Sequence, residues 1–269
     1  MRRAEWIAAG YFLYLLLPVW LRAPKATRRA LTLQALFAAA LVVVVSRAPD
    51  TRLGSIVRDW APGVFLLAGY WLPGRLFTAF NERLERWLMA RDREWLGEPL
   101  ASSPPRSPAA LLAYLELTYM LCYPLVPIAF GLLYFSSASV AADALDRFWS
   151  AVLLAVFICY GLLPWLPTRP PRAFLPADIP AAPALRRLNL HVLNHASIQV
   201  NTLPSGHVAA AVAAALAVGQ VIPAAGAIIG VLAVSIAVAA VLGRYHYAAD
   251  AILGALTALA AFAIAESQR

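Results

Sequence analysis

The amino-acid sequence predicts an all-α, polytopic membrane protein, a bundle of about six to eight transmembrane helices with one interfacial amphipathic helix. Two observations carry this prediction. The 269 residues are 62% hydrophobic and only 13% charged, and the mean hydropathy is +0.70. Long apolar runs also recur along the chain, separated by short polar segments. This composition excludes an ordinary soluble domain.

Seven apolar runs approach or reach the length of about 17 to 25 residues that crosses a hydrocarbon core. They are Trp6–Trp20, Leu31–Val45, Leu111–Phe135, Phe148–Trp165, Val208–Ile222, Ala225–Leu242 and Ala248–Ala265. An eighth candidate, Pro62–Phe80, contains Pro73, Gly74 and Arg75, so the alternative is a segment that enters at an angle or lies in the interface.

Gly74–Gly97 predicts the amphipathic helix, because charges of alternating sign stand between apolar residues at helical spacing. An ordinary solvated helix is the alternative. The Pro/Ser-rich stretch Pro99–Pro108 then predicts a linker. We therefore expect an N-terminal membrane part over residues 1–108 and a catalytic helical core over residues 109–269.

The net charge of +8 is spread over many loops instead of one soluble face. Anionic lipid head groups and the bilayer are therefore the predicted partners, and nucleic acid is not. The two cysteines, Cys122 and Cys159, both lie inside predicted spans, which argues against a disulfide framework or a zinc ribbon.

A polar stretch, PSGH, precedes the apolar run that starts at Val208. Ser205 is then placed near a helix N-cap, where unpaired backbone amides favour an anion. Gly206 lets a bulky anion approach the backbone, and His207 can exchange a proton near neutral pH. A capping serine beside an interfacial histidine without chemistry is the alternative.

The next two spans return the chain to the side from which PSGH starts. There it reads GRYHYAAD, which places Arg244, His246 and Asp250 at the membrane level of His207. His246 and Asp250 are four residues apart, so on a helix they share one face and the carboxylate can orient the imidazole. Three titratable or charged residues between apolar spans predict a functional site.

The loop after Phe148–Trp165 reads LPTRPPRAFLP and ends on the same side. Its Arg169 and Arg172 can each bind phosphate oxygens in a forked geometry, and the prolines stiffen the loop. A positive anchor on the membrane surface is the alternative reading.

These three stretches, in this order, resemble the motifs of the type 2 phosphatidic acid phosphatase superfamily over about Leu111–Ala265. The superfamily pattern is a basic block ending in Arg-Pro, then PSGH, then Ser-Arg with His six residues after the Arg. Here the first block has no Lys, Gly243 replaces the Ser, and Arg244 lies two residues before His246. The HY-x2-D form is closer to the inositol phosphorylceramide synthase and sphingomyelin synthase branch.

The resemblance implies a six-helix catalytic core and a phosphatase or phosphotransferase that acts on a lipid phosphate without cofactor or metal. His246 is then the phosphohistidine nucleophile, Asp250 orients it, and His207 protonates the leaving alcohol. The residues implied to bind the phosphoryl oxygens are Ser205, Gly206, Arg244, Arg172 and Arg169. An inositol phosphorylceramide synthase-like transferase and a non-catalytic phospholipid-binding relative are the alternatives.

Two further features stay open at the sequence level. Glu116 lies inside a predicted span and must be paired or protonated, so it either belongs to the site or bonds a neighbouring helix. His191 and His195 have a spacing that can bind a metal on a helix, and together with His207 they make a metal-dependent enzyme a weaker alternative. An interfacial helix face is the preferred interpretation of that pair.

The membrane side of the site is predicted in two opposite ways. If Pro62–Phe80 spans, the site lies on the side that carries Arg22, Lys25 and most arginines from Arg83 to Arg187, which the positive-inside rule assigns to the cytoplasm. The resemblance implies a site facing the exoplasm or periplasm. The expected location is a bacterial inner or plasma membrane.

Overall fold

The computed structural model describes residues 1–77, 79–97, 108–136, 142–174 and 183–267. Within these ranges the chain is helical, and the one β-type contact is an isolated bridge between Thr168 and Asn201. The helices are α1 (Arg3–Tyr14), α2 (Leu16–Arg22), α3 (Lys25–Ser46), α4 (Arg52–Trp71), α5 (Glu82–Leu96), α6 (Ala109–Met120), α7 (Cys122–Tyr134), α8 (Ala142–Leu162), α9 (Pro183–Ala196), α10 (Gly206–Gly219), α11 (Pro223–Leu242) and α12 (Ala248–Ser267). The all-α prediction is confirmed.

Several helices have the length and composition of membrane spans. Among the described residues, five qualify: α1 with α2 taken together, α3, α8, α11 and α12. The bent pair of α6 and α7 makes a sixth if it counts as one span, whereas α10 is apolar but shorter. The prediction of a polytopic helical bundle is therefore confirmed.

Two predicted spans are each broken by a proline. Within Trp6–Trp20, α1 ends at Tyr14, four residues before Pro18. Within Leu111–Phe135, α6 ends at Met120, four residues before Pro124, and α7 continues at an angle of 62°. A proline ring clashes with the carbonyl four residues earlier and lacks the N–H that would bond to it, which accounts for both positions.

The predicted bounds of the next two elements are wrong. The candidate span at Pro62–Phe80 is helix α4, which begins at Arg52 and ends at Trp71, with Pro62 accommodated inside it. The amphipathic helix begins at Glu82 and not at Gly74, because Asn81 caps it by accepting a hydrogen bond from the Leu84 amide at 3.0 Å. Most of the predicted linker lies outside the described residues.

Helices α8 and α10 form the centre of the bundle. α8 packs against α1, α4, α10 and α12, and α10 packs against α7, α8, α11 and α12. The Ala/Val composition of α10 keeps its side chains short, so neighbouring helices approach it closely. The end of α8, the start of α10, the end of α11 and the start of α12 then meet at one end of the bundle.

Helices α10 and α11 approach each other closely at Gly226, near the start of α11. A Cβ built there would lie 2.3 Å from the Gly219 Cα and 3.0 Å from the Ala215 carbonyl oxygen, both backbone atoms of α10. In the described part of the chain, no atom lies within 4 Å of a Cβ built at Gly230, one turn further along α11. Gly226 therefore offers a crowded position for substitution, and Gly230 offers an uncrowded control on the same helix.

We expect Gly226→Ala to destabilise the protein by about 1–3 kcal/mol, because the helices must separate to admit the methyl group. Gly230→Ala should stabilise slightly or change stability by less than about 1 kcal/mol, since alanine favours the helix and has space there. Thermal unfolding of both variants in the same detergent measures the difference. Equal unfolding midpoints for the two variants would contradict the close approach of α10 and α11 at Gly226.

Candidate active site

Three segments that are distant in the sequence meet at this end of the bundle. We name them the arginine loop (166–174), the PSGH segment (201–207) and the histidine turn (243–250). Backbone hydrogen bonds connect all three. The Arg172 amide donates to the Arg244 carbonyl at 3.0 Å, the Ser205 amide to the Asp250 carbonyl at 2.9 Å, and the Asn201 amide to the Thr168 carbonyl at 2.8 Å.

The PSGH segment ends at the N-terminus of α10, and the first turn of this helix lies in the site. Ser205 is fully buried and is the N-cap of α10, with its hydroxyl accepting from the Val208 amide at 3.4 Å. The Gly206 amide donates to the Thr202 hydroxyl at 3.2 Å. A Cβ on Gly206 would lie 2.5 Å from the Tyr160 ring, so a residue without a side chain is needed there.

The two histidines of the motifs face each other. The ring centroids of His207 and His246 are 5.9 Å apart, with an angle of 75° between the rings. His207 is half-buried, and the rings of Tyr119 and Tyr123 lie edge-on to it at 6.0 and 5.5 Å. His246 is 5% exposed. The structure therefore brings together two imidazoles from different elements.

Asp250 stands behind His246. Its Oδ2 lies 3.4 Å from Nδ1 of His246 and accepts a hydrogen bond from the Tyr247 amide at 2.9 Å. Asp250 is fully buried, so its orientation is fixed by these neighbours. A carboxylate on the Nδ1 side favours the tautomer with the proton on Nδ1, which leaves Nε2 with a lone pair.

The three predicted phosphate-binding arginines differ in their surroundings. Arg172 is half-buried, with its guanidinium carbon 6.0 Å from the Tyr245 ring centroid. Arg244 is 4% exposed and has a left-handed backbone, with φ of 60°. Arg169 is engaged elsewhere, because its guanidinium Nη2 and Nε lie 2.7 and 3.1 Å from the two oxygens of Glu85.

Glu116 is part of a buried polar cluster beside the histidine turn. Its carboxylate accepts hydrogen bonds from Tyr245 Oη at 2.6 Å, Asn189 Nδ2 at 2.5 Å and Arg186 Nη1 at 3.1 Å. The Tyr245 ring stacks on Tyr119 with centroids 3.7 Å apart. Glu116 therefore contacts Tyr245, the residue between Arg244 and His246.

Sequence reasoning did not identify Arg186 and Asn189. They are three residues apart on α9, and a shared helix face was the one available signal. Arg186 Nη1 also donates to the Gly243 carbonyl at 2.8 Å, so α9 supports the histidine turn directly. Asp92 on α5 was also missed; it accepts a hydrogen bond from the Ala248 amide at 3.0 Å.

The predicted histidine pair lies on α9, outside the three segments. The rings of His191 and His195 are 4.2 Å apart, and His195 Nδ1 is 2.8 Å from the His191 carbonyl oxygen. Among the described residues, no group of three or more His, Cys, Asp or Glu has the proximity of a metal site. Both side chains are exposed, and the interpretation of the pair as part of an interfacial helix face stays a prediction.

The electrostatic surroundings of His246 favour its neutral form. Burial, and secondarily the nearby positive charge of Arg172, lower the pKa of His246 to about 3. Because this pKa lies below the usual value for histidine, the deprotonated imidazole predominates as the pH falls from 8 to 5. A neutral imidazole is the form that can act as a nucleophile.

We therefore expect the carbon resonances of His246 to keep their neutral chemical shift from pH 8 to pH 5. Protein labelled with 13C-histidine has four histidines to resolve, and His246→Gln assigns the relevant signal. A titration midpoint of this signal between pH 6 and 7 would show that the imidazole is solvated and that burial does not lower its pKa.

The chain matches a known protein family. The family model described as the PAP2 superfamily matches residues 83–264, which include nearly all of α5, all three segments and most of α12. Neither the curated proteins nor the solved structures gave a significant match. Since the family match covers more than half of the 269 residues, the chain belongs to the PAP2 superfamily, a family of lipid phosphatases and phosphotransferases.

Proposed function

We propose that the protein is a lipid-phosphate phosphatase or phosphotransferase that acts through a phosphohistidine on His246. The observation that carries this proposal is the facing pair of His207 and His246, with Asp250 on the Nδ1 side of His246. Phosphoryl transfer needs a nucleophile and an acid for the leaving group on opposite sides of the phosphorus. Two imidazoles from different helix ends supply that pair.

In the first half-reaction, the lone pair of His246 Nε2 forms the P–N bond while the bond from phosphorus to the leaving oxygen breaks. Burial lowers the pKa of His207 to about 3, and the negative charge of the bound phosphate offsets this so that His207 is protonated. His207 then donates its proton to that oxygen, which leaves as an alcohol. The His246 ring becomes cationic as the P–N bond forms, and the Asp250 carboxylate stabilises this charge through the Nδ1 proton. The half-buried position of His207 suits contact with a leaving group.

In the second half-reaction, neutral His207 accepts a proton from an incoming hydroxyl, and the oxygen of that hydroxyl attacks the phosphorus. The P–N bond breaks, and Nε2 regains its electron pair. Water as the acceptor gives hydrolysis, and a lipid or polyol hydroxyl gives transfer. The same residues serve both outcomes, so the acceptor decides the reaction type.

The phosphoryl oxygens are bound by Arg172 and Arg244 and by the start of α10. Positive charge and backbone amides around the equatorial oxygens stabilise the charge of the transition state. The Gly206 amide contributes by sharing its proton between Thr202 and a phosphoryl oxygen, and Ser205 maintains the helix N-terminus as its cap. We leave Arg169 out of this set because Glu85 engages it.

Head-group transfer to a lipid hydroxyl, as in inositol phosphorylceramide synthases, is the second candidate. The apolar rings of Tyr119 and Tyr123 beside His207 favour it, because they suit a lipid acceptor better than free access of water. The HY-x2-D form of the histidine turn points to the same branch.

The decisive test is incubation of the purified protein with phosphatidic acid, polyprenyl diphosphate and phosphatidylinositol, each with and without ceramide or diacylglycerol. His246→Ala should lower turnover by at least about 10³-fold because it removes the nucleophile. His207→Ala should lower it by about 10²- to 10⁴-fold with lipid substrates. An unaffected rate in either variant would refute the mechanism.

An aryl phosphate separates the two roles, because its leaving group needs no proton. His207→Ala should still form a phosphoenzyme from it, whereas His246→Ala should form none, as measured by acid-labile 32P incorporation. His191→Ala and His195→Ala, on the α9 surface, are the matched controls and should keep their activity. Activity that EDTA abolishes would favour a metal-dependent enzyme, and lipid retention without turnover would favour a non-catalytic relative.

A further inference from the structure

Helix α5 presents one buried face, and that face is partly acidic. Glu85, Leu88 and Asp92 are spaced by three and four residues, so they share one side of the helix. Their exposed fractions are 1%, 0% and 9%. Charged residues such as Glu82 and Glu94 lie on the exposed sides. Buried carboxylates are costly unless they are paired, so their partners identify what this face does.

The first partner is the arginine loop. The Glu85 carboxylate receives a forked contact from the Arg169 guanidinium, and its Oε1 also accepts from the Arg169 amide at 2.7 Å. The Asn81 amide, at the N-cap of α5, donates to the Pro167 carbonyl at 2.8 Å. One carboxylate thus fixes both the backbone and the side chain of a loop residue three positions before Arg172.

The second partner is the start of α12. Asp92 Oδ1 accepts from the Ala248 amide at 3.0 Å, so a side chain from another helix serves one of the first amides of α12. Ala248 lies between His246 and Asp250 in the histidine turn. The hydrogen bond therefore fixes the start of α12, between His246 and Asp250.

An apolar contact connects this face to all three segments. Leu88 is fully buried and belongs to a cluster with Leu203 of the PSGH segment and Tyr247 and Ala249 of the histidine turn. Tyr247 Oη in turn donates to the Arg169 carbonyl at 3.1 Å. α5 thus packs against the three active-site segments, although it carries none of the three motifs.

We propose that α5 is a positioning helix for the active site, with Glu85 and Asp92 as its positioning residues. Glu85 fixes the arginine loop that carries Arg172, and Asp92 fixes the turn that carries His246 and Asp250. Neither residue contacts the substrate. The kinetic part of this proposal rests on the proposed function, whereas its structural part is independent of any activity.

The pairing also assigns Arg169 a structural role. A carboxylate that already holds the forked contact of Arg169 reduces the ability of this guanidinium to bind a second anion. Arg172, which has no carboxylate partner among the described residues, is then the arginine of this loop that meets the substrate phosphate. Glu85 therefore selects which of two neighbouring arginines faces the site.

The test compares each buried carboxylate with an exposed one on the same helix. Glu85→Gln is paired with Glu82→Gln, and Asp92→Ala with Glu94→Ala. Hydrogen exchange measured by mass spectrometry should become faster in the arginine loop for Glu85→Gln and in the histidine turn for Asp92→Ala. Both exposed controls should match the wild type. Equal exchange in a buried variant and its control would overturn the proposal.

Kinetics distinguish positioning from general stabilisation. Below the unfolding temperature, Glu85→Gln should raise KM by about tenfold because the phosphate-binding loop is released, and Asp92→Ala should lower kcat by about 10- to 100-fold because the nucleophile is misplaced. Asp92→Asn keeps an oxygen acceptor for Ala248 and should recover kcat to within about threefold of the wild type.

The outcomes separate the two proposals. If the wild type turns over no lipid phosphate, the proposed function fails, and the exchange comparison alone decides whether α5 positions the segments. If the wild type is active and both buried variants keep wild-type kcat and KM, the positioning role is refuted. Loss of kcat in Asp92→Asn equal to that in Asp92→Ala would also refute it, since the acceptor would then be irrelevant.

Discussion

The backbone hydrogen bond from Ser205 to Asp250 is the contact on which the arrangement of the site depends. It joins the PSGH segment to the histidine turn at 2.9 Å, and the Arg172 amide joins the arginine loop to the same turn at 3.0 Å. The first contact is possible because Gly254 has no side chain, since a Cβ there would lie 2.6 Å from the Ser205 carbonyl oxygen. The close packing of α12 against the PSGH segment thus sets the distance between the two histidines.

A second constraint is the cost of burying charge near a bilayer. Two buried carboxylates around the site are paired with arginines: Glu116 with Arg186, and Glu85 with Arg169. Breaking such a pair leaves an uncompensated charge, which is more costly than never having placed the pair there. Because these pairs connect α5 to the arginine loop and α6 to α9, the requirement for neutralisation also fixes the surrounding helices.

The sequence predicted the fold class more accurately than the bounds of the helices. Composition and apolar runs are sufficient for a polytopic bundle, because crossing a membrane requires long apolar helices. Prolines show where that reasoning stops. Pro18 and Pro124 follow helix breaks, whereas Pro62 lies within a continuous helix, and neighbouring packing decides between these outcomes.

By itself, the sequence determined which residue types stand at one end of the bundle, because PSGH and RYHYAAD flank two antiparallel spans. The tertiary structure decided which partners they have. Glu85 and Arg169 are 84 residues apart, and Tyr245 and Glu116 are 129 apart. Such contacts depend on how helices pack and bend, which local periodicity does not encode. Only the packed bundle therefore distinguishes Arg169, which Glu85 pairs, from Arg172, and brings α5 into contact with the arginine loop and the histidine turn.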